Sequence, residues 1–349
     1  MNTAQQSVVS VLTPVYNGAQ FLAECIESVL GQTYQFWDYT IVNNCSTDQT
    51  LEIAQRYAAR DRRIRIHNNT EFLPVVANHN EALRHISPES KYCKLIFADD
   101  WLYSDCLEKM VALAETHPSV GIVTSYGLRG SEVMWTGLPF PSTVVSGRDA
   151  CRQRLMNGPY VFGTGTSHMF RADLVRSRDP FYNESNLHCD SESCFQVLQI
   201  SDLGFIHQIL HYSRAPRADS FTTLAHNLGT VEAMTLYELI TYGPVYLSAA
   251  EYPEYFEKKI AEYYAFLATV LVSRSNAWSF HKEKWREFGL TLDRVRLVKA
   301  VLAKGINGVL KHPKRTIKQL MDGTSVLSSR PRAMPPSEPG VMKEHDEER

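Results

Sequence analysis

The chain lacks the signatures that place a protein in an oxidising compartment or across a membrane. Its seven cysteines are odd in number and scattered, without a C-x-x-C pair, which argues against a disulfide framework or a zinc site and favours a reducing compartment. It has no run of about 18 apolar residues, and residues 1–6 are polar, so neither a membrane span nor a signal peptide is indicated. We expect a cytoplasmic protein, soluble or at most peripheral at the inner face of the cell membrane.

Charge of one sign is also lacking. The 36 Lys and Arg residues nearly balance the 38 Asp and Glu residues, and the two signs are mixed through most of the chain, so no nucleic-acid partner is expected. Neither a G-x-G-x-x-G motif, a P-loop nor an internal repeat occurs. A composition of 44% hydrophobic and 21% charged residues is enough for a real core in a chain of 349 residues, roughly two domains in length.

What the chain does contain is an alternation of short β-branched runs and amphipathic helices. Strands are predicted from residue 7 and at 39–42, 64–67, 93–97 and 120–125, with a helix after each of the first four. This alternation predicts a mostly parallel sheet covered by helices on both faces, an α/β architecture. In such sheets ligands bind beyond the carboxyl ends of the strands, where each candidate motif lies.

Three polar motifs follow the first, second and fourth strands: Thr13-Pro14-Val15-Tyr16-Asn17, the loop 43–48, and Asp99-Asp100. Paired carboxylates repel each other unless a divalent cation or hydrogen-bond donors compensate, which makes Asp99 and Asp100 candidate metal ligands. Each motif has an ordinary alternative, because Asn, Ser, Thr and Asp also cap the helix that follows a turn. Taken singly, none of the motifs identifies a function.

In their joint order these motifs resemble the family 2 nucleotide-sugar glycosyltransferases with the GT-A fold, over about residues 7–225. The resemblance implies a Rossmann-like three-layer α/β/α sandwich. Two departures reduce negative charge: Phe97 stands where the family often has a further acid, and Asn43-Asn44-Cys45 replaces Asp-Asp-Gly. Both departures leave metal affinity and base preference open.

The resemblance also implies a donor site and a divalent metal, Mg²⁺ or Mn²⁺. Asp99 and Asp100 would share ribose contact and metal coordination, and arginines after a predicted strand at 205–212 would neutralise the leaving diphosphate. The alternative for these arginines is that they are ordinary surface residues on a solvated loop. The predicted donor-site residues are Thr13, Pro14, Tyr16, Asn17, Asn43, Asp48, Asp99, Arg214 and Arg217.

Acceptor chemistry is expected at His188-Cys189-Asp190-Ser191-Glu192, which resembles the acidic motif of the family at the start of a helix. Inverting transfer needs a carboxylate that takes the proton of the acceptor hydroxyl. Asp190 is the predicted base and Glu192 the second choice. Both could instead be helix N-terminal acids that the dipole stabilises.

The remaining sequence suggests a domain organisation. We predict a catalytic domain over residues 1–225, a helical C-terminal extension over 226–324 and a disordered tail over 325–349. The basic amphipathic segment 294–319 either packs on the catalytic domain or lies on an anionic membrane surface. A membrane contact would favour a lipid-linked acceptor.

The predicted function is inverting transfer of a sugar from a nucleotide diphosphate, a UDP-sugar by preference, to a hydroxyl of a glycan or lipid-linked acceptor, as in cell-envelope polysaccharide synthesis. A nucleotide-binding scaffold that has lost catalysis is one alternative. A sugar nucleotidyltransferase is another, but it should carry a glycine-rich basic loop after the first strand, and residues 14–18 lack both glycine density and lysine.

Overall fold

The computed structural model describes residues 6–215, 221–272 and 277–311. Within these ranges the chain alternates strands and helices up to residue 212 and is helical from residue 221 onward. The strands are β1 (Val8–Val15), β2 (Trp37–Asn43), β3 (Ile64–Asn68), β4 (Ser90–Leu95), β5 (Trp101–Leu102), β6 (Val120–Arg129), β7 (Glu132–Met134), β8 (Val144–Val145), β9 (Met169–Arg171) and β10 (Asp202–Tyr212).

The helices cover both faces of the sheet and then continue into the C-terminal region. Their bounds are α1 (Leu22–Leu30), α2 (Thr50–Ala58), α3 (Val75–Arg84), α4 (Cys106–Thr116), α5 (Gly147–Leu155), α6 (Ala172–Arg176), α7 (Cys189–Val197), α8 (Phe221–Leu228), α9 (Thr230–Tyr246), α10 (Glu251–Val272), α11 (Ala277–Glu287) and α12 (Arg294–Lys311). A short 3₁₀ turn, Gly165–Ser167, precedes β9.

The strands form one mixed sheet in the order β3-β2-β1-β4-β9-β6-β10-β5. The pairs of β1 with β2 and β4, of β2 with β3, and of β6 with β10 are parallel, as the alternation predicts. The short strand β9 runs antiparallel between β4 and β6. A parallel sheet of four strands is thus joined through one reversed strand to a second half.

Two hydrophobic cores lie on opposite faces of this sheet, which confirms the three-layer α/β/α prediction. Side chains alternate along β1, so Val9 and Val11 enter the core that contains α1, α2 and α4, and Leu12 enters the core that contains α3, α5 and α7. The second core also takes Tyr242 and Tyr246 from α9. Helix α9 therefore packs on the sheet domain.

The chain divides after Ala261 into two compact units. Helices α8 and α9 belong to the first unit, which therefore extends beyond the predicted domain boundary at residue 225. In the second unit Tyr263 donates to, or accepts from, His281 Nδ1 at 2.6 Å, and Trp285 packs against Tyr263 and Tyr264. The helical character predicted for the C-terminal region holds up to residue 311; the predicted tail and residues 312–319 lie outside the described residues.

Within the described ranges, no helix is long and apolar enough to cross a membrane.

Candidate active site

The carboxyl ends of β1, β2 and β4 meet at one edge of the sheet. Val15 is paired with Asn43, and Leu95 with Leu12 three residues before the end of β1. The sheet register therefore brings together the three motifs that follow these strands. This edge is the candidate donor site.

The turn after β1 is joined by hydrogen bonds to the loop after β2 and to the start of α2. Asn17 has a positive φ of 49°, its backbone N–H donates to Ser46 Oγ at 3.0 Å, and its Oδ1 accepts from the N–H of Thr47 at 2.8 Å. The N–H of Ala19 donates to Asp48 Oδ2 at 3.1 Å, and that of Gly18 to Thr50 Oγ1 at 2.8 Å. Asn17 and Asp48 thus fix the shape of the edge.

Asn43 belongs to a set of hydrogen-bonded amides at the ends of β2 and β3, of which Asn43 and Asn44 are buried. Its Nδ2 donates to Asn68 Oδ1 at 3.0 Å, and its Oδ1 accepts from the N–H of Ser46 at 3.2 Å. Next to it, Asn69 Nδ2 donates to Asn44 Oδ1 at 2.9 Å and also to Asn78 Oδ1 at 2.9 Å. The Asn43-Asn44 departure from the acidic family pattern therefore forms a neutral, hydrogen-bonded network.

Tyr16 lies at the surface of this edge, whereas Thr13 and Pro14 lie beneath it. Tyr16 is 49% exposed and packs edge-on against Phe72, which is 56% exposed, with ring centroids 4.8 Å apart. Thr13 is fully buried, and its hydroxyl lies 2.8 Å from Tyr39 OH in the core. Exposed aromatic rings are suited to stacking on a nucleobase; Thr13 and Pro14 can act on it only by supporting the strand end.

Asp99 and Asp100 occupy the corner after β4 in different environments. Asp100 is buried: its Oδ2 accepts from Thr166 Oγ1 at 2.6 Å and Ser213 Oγ at 3.1 Å, and its Oδ1 accepts from the N–H of Arg214 at 3.2 Å. Burial raises the pKa of the Asp100 carboxyl to about 7. Asp99 is exposed, and its carboxylate takes part in no hydrogen bond or ion pair among the described residues. At this corner the Asp99 carboxylate is accessible to a ligand, whereas the buried Asp100 carboxylate is already hydrogen-bonded to the protein.

These residues fit a magnesium-like ion that is held mainly by substrate. Mg²⁺ is commonly bound through one or two carboxylates together with substrate phosphates and waters, and Asp99 can supply one such ligand. Asp100 can supply a second only if it exchanges one of its protein hydrogen bonds. The donor set consists of oxygen atoms, which is the chemistry that Mg²⁺ and Mn²⁺ prefer.

Phe97, which replaces the further acid, is a packing residue. Its ring stacks on His79 with centroids 5.1 Å apart, and its backbone N–H donates to Thr166 Oγ1 at 3.2 Å. A Cβ on Gly165 would lie 2.6 Å from Phe97 Cζ, so glycine is required for this close approach. Burial lowers the pKa of His79 to about 4, so its imidazole is neutral near neutral pH.

A buried lysine fixes the loop that contacts Asp100. Lys94 in β4 is fully buried, and its ammonium donates to the carbonyl oxygens of Thr166 at 2.6 Å and His168 at 3.3 Å. Burial lowers the pKa of Lys94. Thr166 in turn is hydrogen-bonded to Phe97 and Asp100. Lys94 therefore helps to position the acidic corner through Thr166.

Arg214 follows β10 and reaches the same corner from the other half of the sheet. Its guanidinium pairs with Glu24 in α1 and lies 4.1 Å from the ring centroid of Phe21 and 5.2 Å from that of Trp101. Exposed ion pairs are worth about 0–1 kcal/mol, so Arg214 can exchange Glu24 for a phosphate at small cost. Arg217 lies outside the described residues.

Asp190 lies in the first turn of α7. Its Oδ1 accepts from the N–H of Ser191 at 2.9 Å, and burial raises the pKa of its carboxyl to about 6. The neighbouring Ser191 donates to Glu238 Oε1 of α9 at 2.6 Å, and Glu238 Oε2 lies 2.9 Å from Arg154 Nη2. A carboxylate with a pKa near 6 is deprotonated at neutral pH yet more basic than an ordinary aspartate.

Glu192 is committed to structural contacts. It is 4% exposed, and its two oxygens accept from Tyr237 OH at 2.6 Å and from Asn186 Nδ2 at 2.7 Å. Longer bonds come from Asn183 Nδ2 at 3.1 Å and Tyr242 OH at 3.3 Å. These donors leave Glu192 little capacity to accept a proton from substrate.

Thr166, Ser213 and Lys94 were not identified from the sequence as members of the site. Thr166 lies in the sequence Gly163-Thr164-Gly165-Thr166-Ser167, where two glycines close to hydroxyl residues indicate a tight loop. Ser213 immediately precedes Arg214. The position of Lys94 inside the predicted strand 93–97 is a signal for it, because a lysine buried in a sheet needs partners.

Solved structures define the class of the fold. The chain resembles residues 1–349 of TarS of S. aureus, solved in complex with UDP-GlcNAc, with a TM-score of 0.59 and 14% identity, covering 91% of this chain and 93% of that fragment. It resembles the mannosyltransferase PcManGT of Pyrobaculum calidifontis, in complex with GDP-Man and Mn²⁺, with a TM-score of 0.53 and 16% identity, covering 92% and 85%. The fold is therefore that of the GT-A nucleotide-sugar transferases, as predicted.

The family follows from sequence comparison. Residues 10–178 match the glycosyl transferase family 2 model, which confirms the predicted family resemblance over this domain. It is 33% identical over 156 residues to a protein named as glycosyltransferase EpsE of Bacillus subtilis, covering 42% of this chain and 55% of EpsE. For TuaG of the same organism, named as a teichuronic acid biosynthesis glycosyltransferase, the identity is 31% over 130 residues, covering 37% of this chain and 51% of TuaG. The chain spans about half the length of these curated relatives.

Proposed function

We propose that this protein is an inverting glycosyltransferase that moves a sugar from a UDP-sugar to a hydroxyl of a glycan or lipid-linked acceptor. The observation that carries the proposal is the corner after β4, where exposed Asp99 lies next to Asp100, whose oxygens accept bonds from Thr166, Ser213 and Arg214. A corner held from both halves of the sheet has the rigidity that a donor site needs.

In this proposal the nucleotide lies across the edge formed by β1, β2 and β4. Tyr16 stacks on the base, Asn43 faces its polar edge, and Asn17 and Asp48 hold the loops around it. TarS has been solved with UDP-GlcNAc and PcManGT with GDP-Man, so a guanine nucleotide is the alternative to a uridine nucleotide.

Asp99, with Asp100 as the second carboxylate, would hold Mg²⁺ or Mn²⁺ at the diphosphate. The ion would supply positive charge that neutralises the leaving group. PcManGT carries Mn²⁺ together with its donor. Arg214 adds a second cation when its guanidinium leaves Glu24 for a phosphate oxygen.

Asp190 acts as general base in the proposed reaction. The acceptor oxygen forms a bond to the anomeric carbon while its proton passes to the Asp190 carboxylate, and the bond from the anomeric carbon to the phosphate oxygen breaks. The nucleoside diphosphate leaves with the bonding electron pair on the face opposite the attack, so the anomeric configuration inverts. The raised pKa of Asp190, about 6, suits this role because it increases basicity without protonating the group at neutral pH.

A nucleotide-binding protein without catalysis is a second candidate, and Phe97 is the observation that favours it. Phe97 fills the position of a further acid with a ring packed on His79. In that case a nucleotide would bind but no sugar would be transferred.

We propose further that α12 can contact an anionic membrane surface, which would favour a lipid-linked acceptor. Val295, Val298 and Leu302 are between 56% and 62% exposed and recur at helical spacing on α12. Lys299 lies between them in sequence, and Arg294 begins the helix. Co-sedimentation with vesicles that contain or lack anionic lipid tests this. We expect the wild-type protein to sediment with anionic vesicles and Val298→Asp to do so less. Equal sedimentation of the wild type and Val298→Asp would contradict the proposal.

The transfer reaction is tested by incubating the protein with UDP-, GDP- and dTDP-sugars, Mn²⁺ and candidate acceptors and measuring release of nucleoside diphosphate. We expect one donor to be consumed by the wild-type protein and not by Asp190→Asn. Binding of a nucleotide sugar without release by either protein would favour the second candidate. Equal release by both proteins would remove Asp190 from the proposed mechanism.

A further inference from the structure

Two histidines and a glutamate converge where β3 meets α3, outside the residues assigned to donor, metal or base. His67 Nε2 lies 3.4 Å from Glu81 Oε1, and His85 Nε2 lies 3.2 Å from the same oxygen. One ligand atom from each residue can be chosen so that all three lie within 4.8 Å of one another. No other such group of three His, Cys, Asp or Glu residues occurs among the residues that the structure describes.

These side chains come from two elements, β3 and α3 with its C-terminal cap. Glu81 and His85 are four residues apart, at α3 and its C-terminal cap, and therefore share a helix face. His67 comes from β3, which precedes α3. The imidazole rings of His67 and His85 pack with centroids 4.1 Å apart and planes inclined by 40°.

These separations are close to those of a tetrahedral zinc site. With Zn–N and Zn–O bonds of about 2.0–2.2 Å, neighbouring ligand atoms in a tetrahedron lie about 3.3–3.6 Å apart. The two distances to Glu81 Oε1 already have nearly this value, and only the two imidazole nitrogens need to adjust. The side chains of His67, Glu81 and His85 are 38%, 22% and 30% exposed, which leaves a fourth position open to water.

The glutamate is also held by an outer partner. Arg84 Nη1 donates to Glu81 Oε2 at 3.0 Å, and Arg84 Nη2 donates to Asp179 Oδ1 at 2.8 Å. Hydrogen bonds of this kind orient a ligating carboxylate and are a regular feature of metal sites. Oε1 is thereby turned toward the two histidines.

We propose that His67, Glu81 and His85 bind a zinc-class divalent ion, separately from the Mg²⁺ or Mn²⁺ proposed at Asp99. Two imidazoles and one carboxylate are a ligand set that zinc accepts, whereas Mg²⁺ prefers oxygen ligands alone. Cysteine spacing argued against a zinc site and does not bear on one built from histidine. The ion joins β3 to α3, and Asn68 of the amide network directly follows His67.

The inference does not rest on the proposed transferase activity. Its test is titration of the metal-free, tag-free full-length protein with Zn²⁺ by calorimetry, and with Co²⁺ by visible absorption. We expect one Zn²⁺ per chain and a Co²⁺ spectrum of tetrahedral type. Removal of a ligand, in His67→Ala or His85→Ala, should weaken binding by at least about 100-fold, since loss of a mere outer partner costs about 10–100-fold.

Two controls separate this site from others. His117→Ala removes a partly exposed histidine that lies outside the cluster and should bind Zn²⁺ like the wild type. Asp99→Ala should also retain Zn²⁺, which distinguishes the site from the donor-site metal. Glu81→Gln keeps the size of the side chain and should lose binding without loss of folding. Binding that is unchanged in both histidine variants, or absent from the wild type at millimolar Zn²⁺, would overturn the proposal and leave the cluster as a set of polar contacts around Glu81.

Discussion

Replacement of Asp190 by asparagine should lower activity and raise stability at the same time. If Asp190 takes the proton of the acceptor, Asp190→Asn removes a general base and should slow transfer by about 10²–10⁴-fold. Asparagine keeps an oxygen that can accept from the N–H of Ser191, so the start of α7 should be preserved. The loss is therefore expected in kcat rather than in donor binding.

The stability gain follows from the pKa of the carboxyl. Burial raises this pKa from 3.8 to about 6, so between these pH values the folded protein binds more protons than the unfolded chain, and stability falls as pH rises. The cost is fully present above pH 6 and corresponds to at most about 3 kcal/mol; it is an upper bound because Asp190 is partly exposed. At pH 7 Asp190→Asn should be more stable by up to this amount, and near pH 3 the difference should vanish.

Denaturant unfolding at pH 3, 5 and 7 measures the stability, and kcat/KM against pH measures the activity. For the wild type we expect kcat/KM to fall about tenfold per pH unit below pH 6. Glu192→Gln is the matched control: it breaks charged hydrogen bonds from Tyr237 and Asn186 and should destabilise by about 1.5–3 kcal/mol. An Asp190→Asn protein that transfers sugar normally, or is less stable at pH 7, would refute the reasoning.

Further predictions concern the donor site. Arg214→Ala should weaken UDP binding by about 10–150-fold, as expected for loss of a charged hydrogen bond, and leave uridine binding unchanged. Glu24→Gln removes the ion pair that holds Arg214 and should tighten UDP binding. Calorimetry with UDP and with uridine checks both expectations. Tyr16→Ala should weaken uridine and UDP equally, by about 1–3 kcal/mol if the ring stacks on the base, and unequal losses would contradict stacking. Gly165→Ala should destabilise the folded protein by about 1–3 kcal/mol, because the new Cβ clashes with Phe97. In a double mutant, Phe97→Leu should recover part of that loss. Additive losses of unfolding free energy in denaturant would contradict a direct clash between the two residues.

Much of the sheet was predictable because its pattern is local. The short apolar runs predicted β1 to β3, and the polar residues after the first, second and fourth strands predicted the edge where their motifs meet. The face of Thr13 could also have been read from alternation, since Val9, Val11 and Val15 share one core and Thr13 lies between them in the same register. Its hydroxyl accordingly lies beside Tyr39 rather than at the surface.

Other features depend on contacts that are remote in sequence. The predicted fourth strand reached Phe97, but β4 ends at Leu95, because the N–H of Phe97 bonds to Thr166 some seventy residues later. The reversed strand β9 has only three residues and carries no periodic signal. The division after Ala261 likewise reflects the packing of α9 and of the first turns of α10 against the core of the sheet domain. Such contacts also explain why Asp99 and Asp100, adjacent in sequence, differ in burial.

The most direct test of the donor site is calorimetric titration of the intact protein and of Asp99→Ala with UDP, GDP and dTDP, each with and without Mn²⁺. The exposed carboxylate of Asp99, supported by the bonded Asp100, predicts metal-dependent binding of one nucleotide, UDP by preference, that Asp99→Ala abolishes. Failure of every nucleotide to bind would contradict the glycosyltransferase assignment and leave the acidic corner as a structural turn before α4.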